Sequence, residues 1–199
     1  MVKPAKLFWK AGKHVLCYLR GTSGYGLWYR QEDEVKLCGF TDADWVGSPM
    51  DRKSTYGGIF NIGSTTVSWY NRRQRSVALS SAKAEYMAAS LAACEAIWMR
   101  KILVRLFGSH LEPTVIYCDN PSCTKLSANP VFHDRSKHID IRYHHIKDCV
   151  QRRIMLLSYI PTEDQDADIL TKALTRRKFE YDRDKIRVVD NTYLVEREC

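Results

Sequence analysis

The apolar positions change period several times along the chain. In "AKLFWKAGKHVLCYLR", residues 5 to 20, Phe8, Ala11, Val15 and Leu19 recur at helical spacing and Gly21 supplies a stop. "YGLWYR" and "EVKLCGFTDADW" predict two strands joined by the acidic turn "QEDE". "TYGGIFNIGSTTVSWYNRRQRSVALS" predicts two more, turning at Asn61 to Ser64. This first part of the sheet is expected to be antiparallel. Residues 81 to 107 form the strongest helical pattern, small and large apolar residues recurring at three and four, and Gly108 ends it. Then come a β-branched strand "TVIYCDN", a short helix "PSCTKLSAN" with Pro121 in its first turn, and a basic amphipathic helix "RSKHIDIRYHHIKDCVQRR". A strand "IMLLSYIPT" and one final helix "DADILTKALTRRKFEYDRDKIR" follow, and the tail from Val188 has no period and is expected to be loose.

Hairpins followed by helix-separated strands imply a mixed sheet with helices packed on it, an α/β layer architecture. The 199 residues suit one compact domain with an appendage, and 45% hydrophobic against 27% charged residues allow a real core. No apolar run approaches the ~20 residues that span a bilayer. The N-terminus lacks the apolar segment of a secretory signal, so an intracellular protein, cytoplasmic or nuclear, is expected. The seven cysteines are odd in number, follow no framework spacing and mostly sit in apolar runs, so reduced, buried thiols are expected. A net charge of +8 points to an anionic partner, nucleic acid foremost.

Four carboxylates then stand out by position. Asp42 ends the strand "KLCGFTD", Asp119 ends "VIYCD", Glu85 lies in the first turns of the long helix, and Asp168 starts the last helix. Singly, each has an ordinary reading as a turn former, a solvated helix acid or an N-terminal helix charge. Together they can meet at one edge of the sheet, where α/β folds place their sites, and converging carboxylates repel unless a cation joins them. Four such groups balance two Mg²⁺ ions, and a pair of ions about 3.5–4 Å apart can activate a water against a phosphodiester.

At these residues the chain resembles the ribonuclease H domain of copia-type LTR retrotransposon polyproteins. The resemblance is carried by "DADWVGSPMDRKSTYGGIF", "VSWYNRRQRSVALSSAKAEYMAAS", "YCDNPSC", "NPVFHDRSKHIDIRYHHIKD" and "PTEDQDADILTKAL", in the family order. It implies a ribonuclease H-like fold, a five-stranded mixed sheet flanked by helices. It also implies hydrolysis of the RNA strand of an RNA–DNA hybrid with two Mg²⁺ or Mn²⁺ ions, held by Asp42, Glu85, Asp119 and Asp168. Asp44 is the neighbouring acid of the family's "DAD" and is not expected to be a primary ligand. The segment "LFWKAGKHVLCYLRGT" resembles the link from reverse transcriptase, which implies that domain as a partner. The expected division is a connection helix over 1–22, the ribonuclease H-like domain over 23–187 and a tail over 188–199. No membrane partner is expected.

For the substrate, Arg72, Arg73 and Arg75 could hold phosphates, and Asn71 and Gln74 could reach groove edges or sugars. Asn120 could donate to a sugar or phosphate, or simply cap the next helix. Lys137, His138 and Arg142 lie on a basic helix face. Three positions depart from the family pattern. Lys83 stands where an acid is usual, Pro121 follows "DN" in place of Gln, and Asp166 is an extra acid near Asp168. No histidine precedes the last acid, which leaves Glu163 or Asp164 as candidate proton donors. Cys118, Cys123, His133 and His138 are spaced C-x4-C…H-x4-H, which suits no zinc finger. The competing reading is a catalytically decayed remnant that at most binds nucleic acid.

Overall fold

A computed structural model describes residues 6–30, 36–47, 52–74, 77–108, 111–128 and 137–191, with the side chains of 126–128 and 137–143 left aside. Five strands form the main sheet: β2 (Leu37–Asp44), β3 (Thr55–Ile62), β4 (Thr65–Arg73), β5 (Thr114–Cys118) and β6 (Met155–Tyr159). Their spatial order is β4-β3-β2-β5-β6. β2, β3 and β4 pair antiparallel, as the hairpin signals predict, while β5 joins β2 and β6 joins β5 in parallel. β2 is thus the central strand, and its C-terminal end lies beside that of β5.

The long helix α2 (Ser81–Phe107) packs on this sheet through Ala84, Ala88, Ala92, Ala93 and Ala96, all fully buried. Small residues let the helix approach closely, and Phe60, Ile116 and Met155 of three strands fill the core beneath its C-terminal half. Its ends carry the expected caps. Ser80 is extended and its hydroxyl accepts from the Lys83 N–H at 3.2 Å, and Gly108 closes the helix at φ 66°. α3 (Pro121–Ala128) and α4 (Lys137–Gln151) cover β5 and β6, burying their own Cys123 and Ile146 in one cluster with Cys118 of β5.

Three expectations are corrected. The "YGLWYR" segment does not form a hairpin with β2, because both edges of β2 are already taken by β3 and β5. Its ordered part, β1 (Tyr25–Leu27), pairs instead with β7 (Val188–Asp190) in a separate two-stranded antiparallel sheet. The tail is therefore not loose at Val188 to Asp190. The Arg183 guanidinium, 4.8 Å from the Tyr25 ring, supports this clasp. Finally, the last helix is two. α5 (Asp168–Thr171) stops where Lys172 turns extended, and α6 (Arg176–Lys185) restarts under its own cap, the Thr175 hydroxyl accepting from Lys178 N–H.

α1 (Lys6–Gly21) buries none of its residues, and Leu7, Phe8, Trp9 and Leu16 are each about two-thirds or more exposed. The six cysteines among the described residues are free thiols, but only Cys118, Cys123 and Cys149 are buried; Cys38 is half-buried, and Cys17 and Cys94, on outward helix faces, are exposed against expectation. Among the described residues, no helix is long and apolar enough to cross a membrane.

Candidate active site

Asp42, Glu85 and Asp168 come from β2, α2 and α5, Asp119 from just past β5, and they meet at the C-terminal edge of β2 and β5. Asp42 is fully buried in the last turns of β2, opposite Gly57 in the β3 register. A Cβ on Gly57 would stand 2.8 Å from Thr171 Cγ2 and 3.0 Å from Leu170 Cβ, so the missing side chain is what lets α5 seat against the strands. Gln165 fixes the turn before α5, its buried amide donating to the Thr41 carbonyl at 3.0 Å while its oxygen accepts from Ala167 N–H. α5 then presents Asp168, Thr171 and Lys172 at positions i, i+3 and i+4, one face of one turn. The Thr171 hydroxyl donates to Asp42 Oδ2. Lys172 Nζ lies 3.1 Å from Asp42 Oδ1 and 2.7 Å from Asp168 Oδ1.

Asp119, half-buried just past β5, accepts from the Thr162 hydroxyl at 3.0 Å. Glu85 projects from α2 into the interior, where Ala43 N–H donates to it at 3.2 Å and the Cys118 thiol lies 3.8 Å away. Ligand atoms of Asp42, Asp119 and Asp168 all lie within 4.8 Å of one another, and so do those of Glu85, Cys118 and Asp119. Asp119 belongs to both groups, so the four carboxylates make one continuous cluster.

Crowded and buried, Glu85, Asp168 and Asp42 resist ionisation. Burial, then Cys118, Asp42 and Asp119, push the Glu85 carboxyl up to about 10. Burial raises Asp168 to about 6 against the pull of Lys172. Burial likewise raises Asp42 above the usual carboxylate range. Burial opposes the Lys172 charge, but Asp42 and Asp168 outweigh it and hold the ammonium protonated. A cluster of this kind calls for positive charge, and Lys172 provides one. Asp42, Asp119 and Asp168 offer only carboxylate oxygens, hard ligands suited to Mg²⁺ or Mn²⁺, so these residues fit divalent ions, whereas the second group adds the soft Cys118 sulfur.

The expected substrate residues divide. Asn71 and Arg72 lie exposed on β4, near the site through the Asn71 amide, which donates to the Leu170 carbonyl. Arg72 also stacks on Tyr70, 5.5 Å from its ring, and Arg73 is exposed at the strand end. Gln74 is not at a groove edge. It is buried, its amide donating to the Ala84 carbonyl at 3.3 Å and its N–H to Ser54, which ties β4 to the start of α2. Arg75 lies outside the described residues, as do the side chains of Lys137, His138 and Arg142. Asn120 caps α3, its oxygen accepting from the N–H groups of Ser122 and Cys123 at 3.0 and 3.2 Å.

Asp44 folds onto Gly47 at the strand end, away from the cluster. Asp166 neither joins the cluster nor faces solvent, being buried and paired with Lys185 at 2.6 Å. Cys118 and Cys123 are core residues, while His133 and the His138 side chain fall outside the described residues. The sequence reading stopped at Asp168 and missed Thr171, Lys172, Gln165 and Gly57. For the first two a signal existed, the i+3 and i+4 spacing from an acid already singled out.

No protein-family model matches the chain. It is 42% identical over 177 residues to a retrovirus-related Pol polyprotein from transposon TNT 1-94 of Nicotiana tabacum, covering 89% of this chain. It is 40% identical over 189 residues to a retrovirus-related Pol polyprotein from transposon RE2 of Arabidopsis thaliana, covering 95% of this chain. The chain spans 13% of the length of either polyprotein. Its fold is similar to that of LC11 ribonuclease H1, isolated from compost, with a TM-score of 0.53 at 18% identity over 69% of this chain and 94% of that one. For the same protein in complex with an RNA/DNA hybrid, the TM-score is 0.50 at 15% identity over 68% and 94%.

Proposed function

The chain belongs to the retrovirus-related Pol polyproteins of copia-type transposons and has the ribonuclease H fold, and from that premise we propose that it hydrolyses the RNA strand of RNA–DNA hybrids with two divalent ions, Mg²⁺ or Mn²⁺. The observation that carries this reading is the convergence of Asp42, Glu85, Asp119 and Asp168 from four separate parts of the chain on one sheet edge. Four carboxylates driven together against their own repulsion have little structural use.

Asp42, Asp119 and Asp168 would hold the ions, with Glu85 joining through the Asp119 side. The ions would supply Lewis-acid chemistry, acidifying the attacking water and stabilising the leaving 3′ oxygen of the RNA phosphodiester. The chain's own task is positioning. Thr171 and Thr162 orient Asp42 and Asp119 by hydrogen bonds, and the Ala43 N–H orients Glu85. Rigid backbone at the ends of β2 and β5 keeps these oxygens in place before substrate arrives. No side chain is needed as nucleophile.

Asn71, Arg72 and Arg73, on the strand that touches α5, would meet the hybrid's phosphates and sugars, and the sequence offers Arg75, Lys137 and His138 as further contacts. Asn120, fully used as a cap through its oxygen, keeps only its amide nitrogen for a sugar or phosphate. RNA would be told from DNA at the 2′-hydroxyl. A reverse transcriptase domain in the parent polyprotein would share the hybrid.

The test is an end-labelled RNA–DNA hybrid with Mg²⁺, beside Asp42→Asn and matched duplex DNA. RNA-strand cleavage is expected from the native protein, with a loss of at least a hundredfold in Asp42→Asn. A folded protein inert in both Mg²⁺ and Mn²⁺ would instead be a decayed remnant.

A further inference from the structure

We propose that Lys172 is a positioning residue and the resident counter-cation of the carboxylate pair Asp42–Asp168, occupying the place that a divalent ion held by these acids would need and yielding it when the ion arrives. The proposal rests on the reading of these acids as ion ligands.

The geometry points to this role in three ways. The ammonium is shared almost evenly, 3.1 Å from Asp42 and 2.7 Å from Asp168, as a bridging ion would be. The two carboxylates are nearly sealed, at 1% and 5% side-chain exposure, while the lysine side chain keeps 34%. The cation therefore has an open side by which to leave, and the acids do not. Its tether is short and local: Lys172 follows directly on α5, four residues after Asp168, where the backbone turns extended and the chain leaves the helix. A flexible four-carbon stem with a strongly hydrated head suits exchange between two places better than a planar guanidinium would.

In the protein without ions, the ammonium stabilises two buried like charges that would otherwise repel. With ions, it becomes a competitor attached to the site. If it holds the pair about nine-tenths of the time, the apparent ion affinity is about tenfold below that of the free carboxylates. Once displaced, the same cation stays within a side-chain length of the cluster, where the substrate's phosphate brings negative charge.

The experiment is calorimetric titration of the full chain with Mn²⁺ alone, together with melting in chelator and in saturating Mg²⁺. Lys172→Met and Lys172→Gln are compared with the native protein, and Lys172→Arg keeps a cation. Both neutral variants are expected to bind Mn²⁺ about tenfold more tightly, to melt roughly 5 °C lower in chelator, and to regain the native melting temperature in Mg²⁺. Lys172→Arg should melt in chelator like the native protein and gain no affinity. Unchanged or weaker Mn²⁺ binding in both neutral variants overturns the proposal, and so does an equal gain in Lys172→Arg. Neither readout requires hydrolysis. Tighter binding by a protein that cleaves nothing would support the counter-cation and count against the nuclease alone, whereas absence of Mn²⁺ binding in every form would overturn both.

Discussion

Glu85 shows how a single side chain can be costly to the fold and still be kept. It sits in the interior, one turn into α2, with one backbone N–H and a thiol as its neighbours. With its carboxyl pushed up to about 10 by burial and by its acidic neighbours, the ion-free protein holds it protonated at neutral pH. Glu85→Gln, equal in shape and also neutral, should therefore leave the melting temperature in chelator within about 1 °C of the native value, a surface-sized effect. The same change should remove most of the stabilisation that Mg²⁺ confers, because a neutral amide brings no negative charge to offset the cation. Melting curves with and without Mg²⁺ read both halves. A large loss of stability in chelator would show that Glu85 is charged there and paired.

The short helix α5 depends on its seat. It reaches the strands because Gly57 leaves room, and it brings Asp168, Thr171 and Lys172 to Asp42 in a single turn. Gly57→Val should push α5 outward, cost about 1–3 kcal/mol as overpacking, and reduce ion binding while β2 and β3 remain paired. Denaturant unfolding and Mn²⁺ titration check this, and native affinity in the variant would place the seat elsewhere. At this scale much was legible in advance. The antiparallel order of β2, β3 and β4 could be read from hairpin signals, and both ends of α2 from Ser80 and Gly108. All four acids could be picked out because strand ends and helix starts are readable positions. The break after Thr171 could not, because neither glycine nor proline marks it and Lys172 itself turns extended. Nor could the partner of β1, because a three-residue strand carries no record of which edge is vacant. Gln74 misled because a polar residue in a basic run gives no sign that it faces inward.

Over the whole molecule, α1 stands out by its exposure. The chain carries +8 overall, while α1 sets Leu7, Phe8, Trp9 and Leu16 in solvent without burying one residue. Side chains so exposed add nothing to the stability of the domain, and such a surface favours association. The double change Leu7→Glu with Leu16→Glu should leave the melting temperature unchanged within about 1 °C and lower the apparent mass on sizing with light scattering at high protein concentration. A fall of several degrees would mean that α1 packs on the domain in solution.

The pairing of β1 with β7 bears on how the domain would respond to tension. Tyr25 lies opposite Asp190, and Leu27 opposite Val188, so the two flanking segments leave the clasp at the same end. A pull on those segments acts across the hydrogen bonds in turn and not along all of them at once, since antiparallel bonds run perpendicular to their strands. The clasp would peel open like a zip at low force. The five-stranded sheet, with neither end in that path, would keep its shape, and the carboxylates of Asp42 and Asp119 would stay in place at its edge.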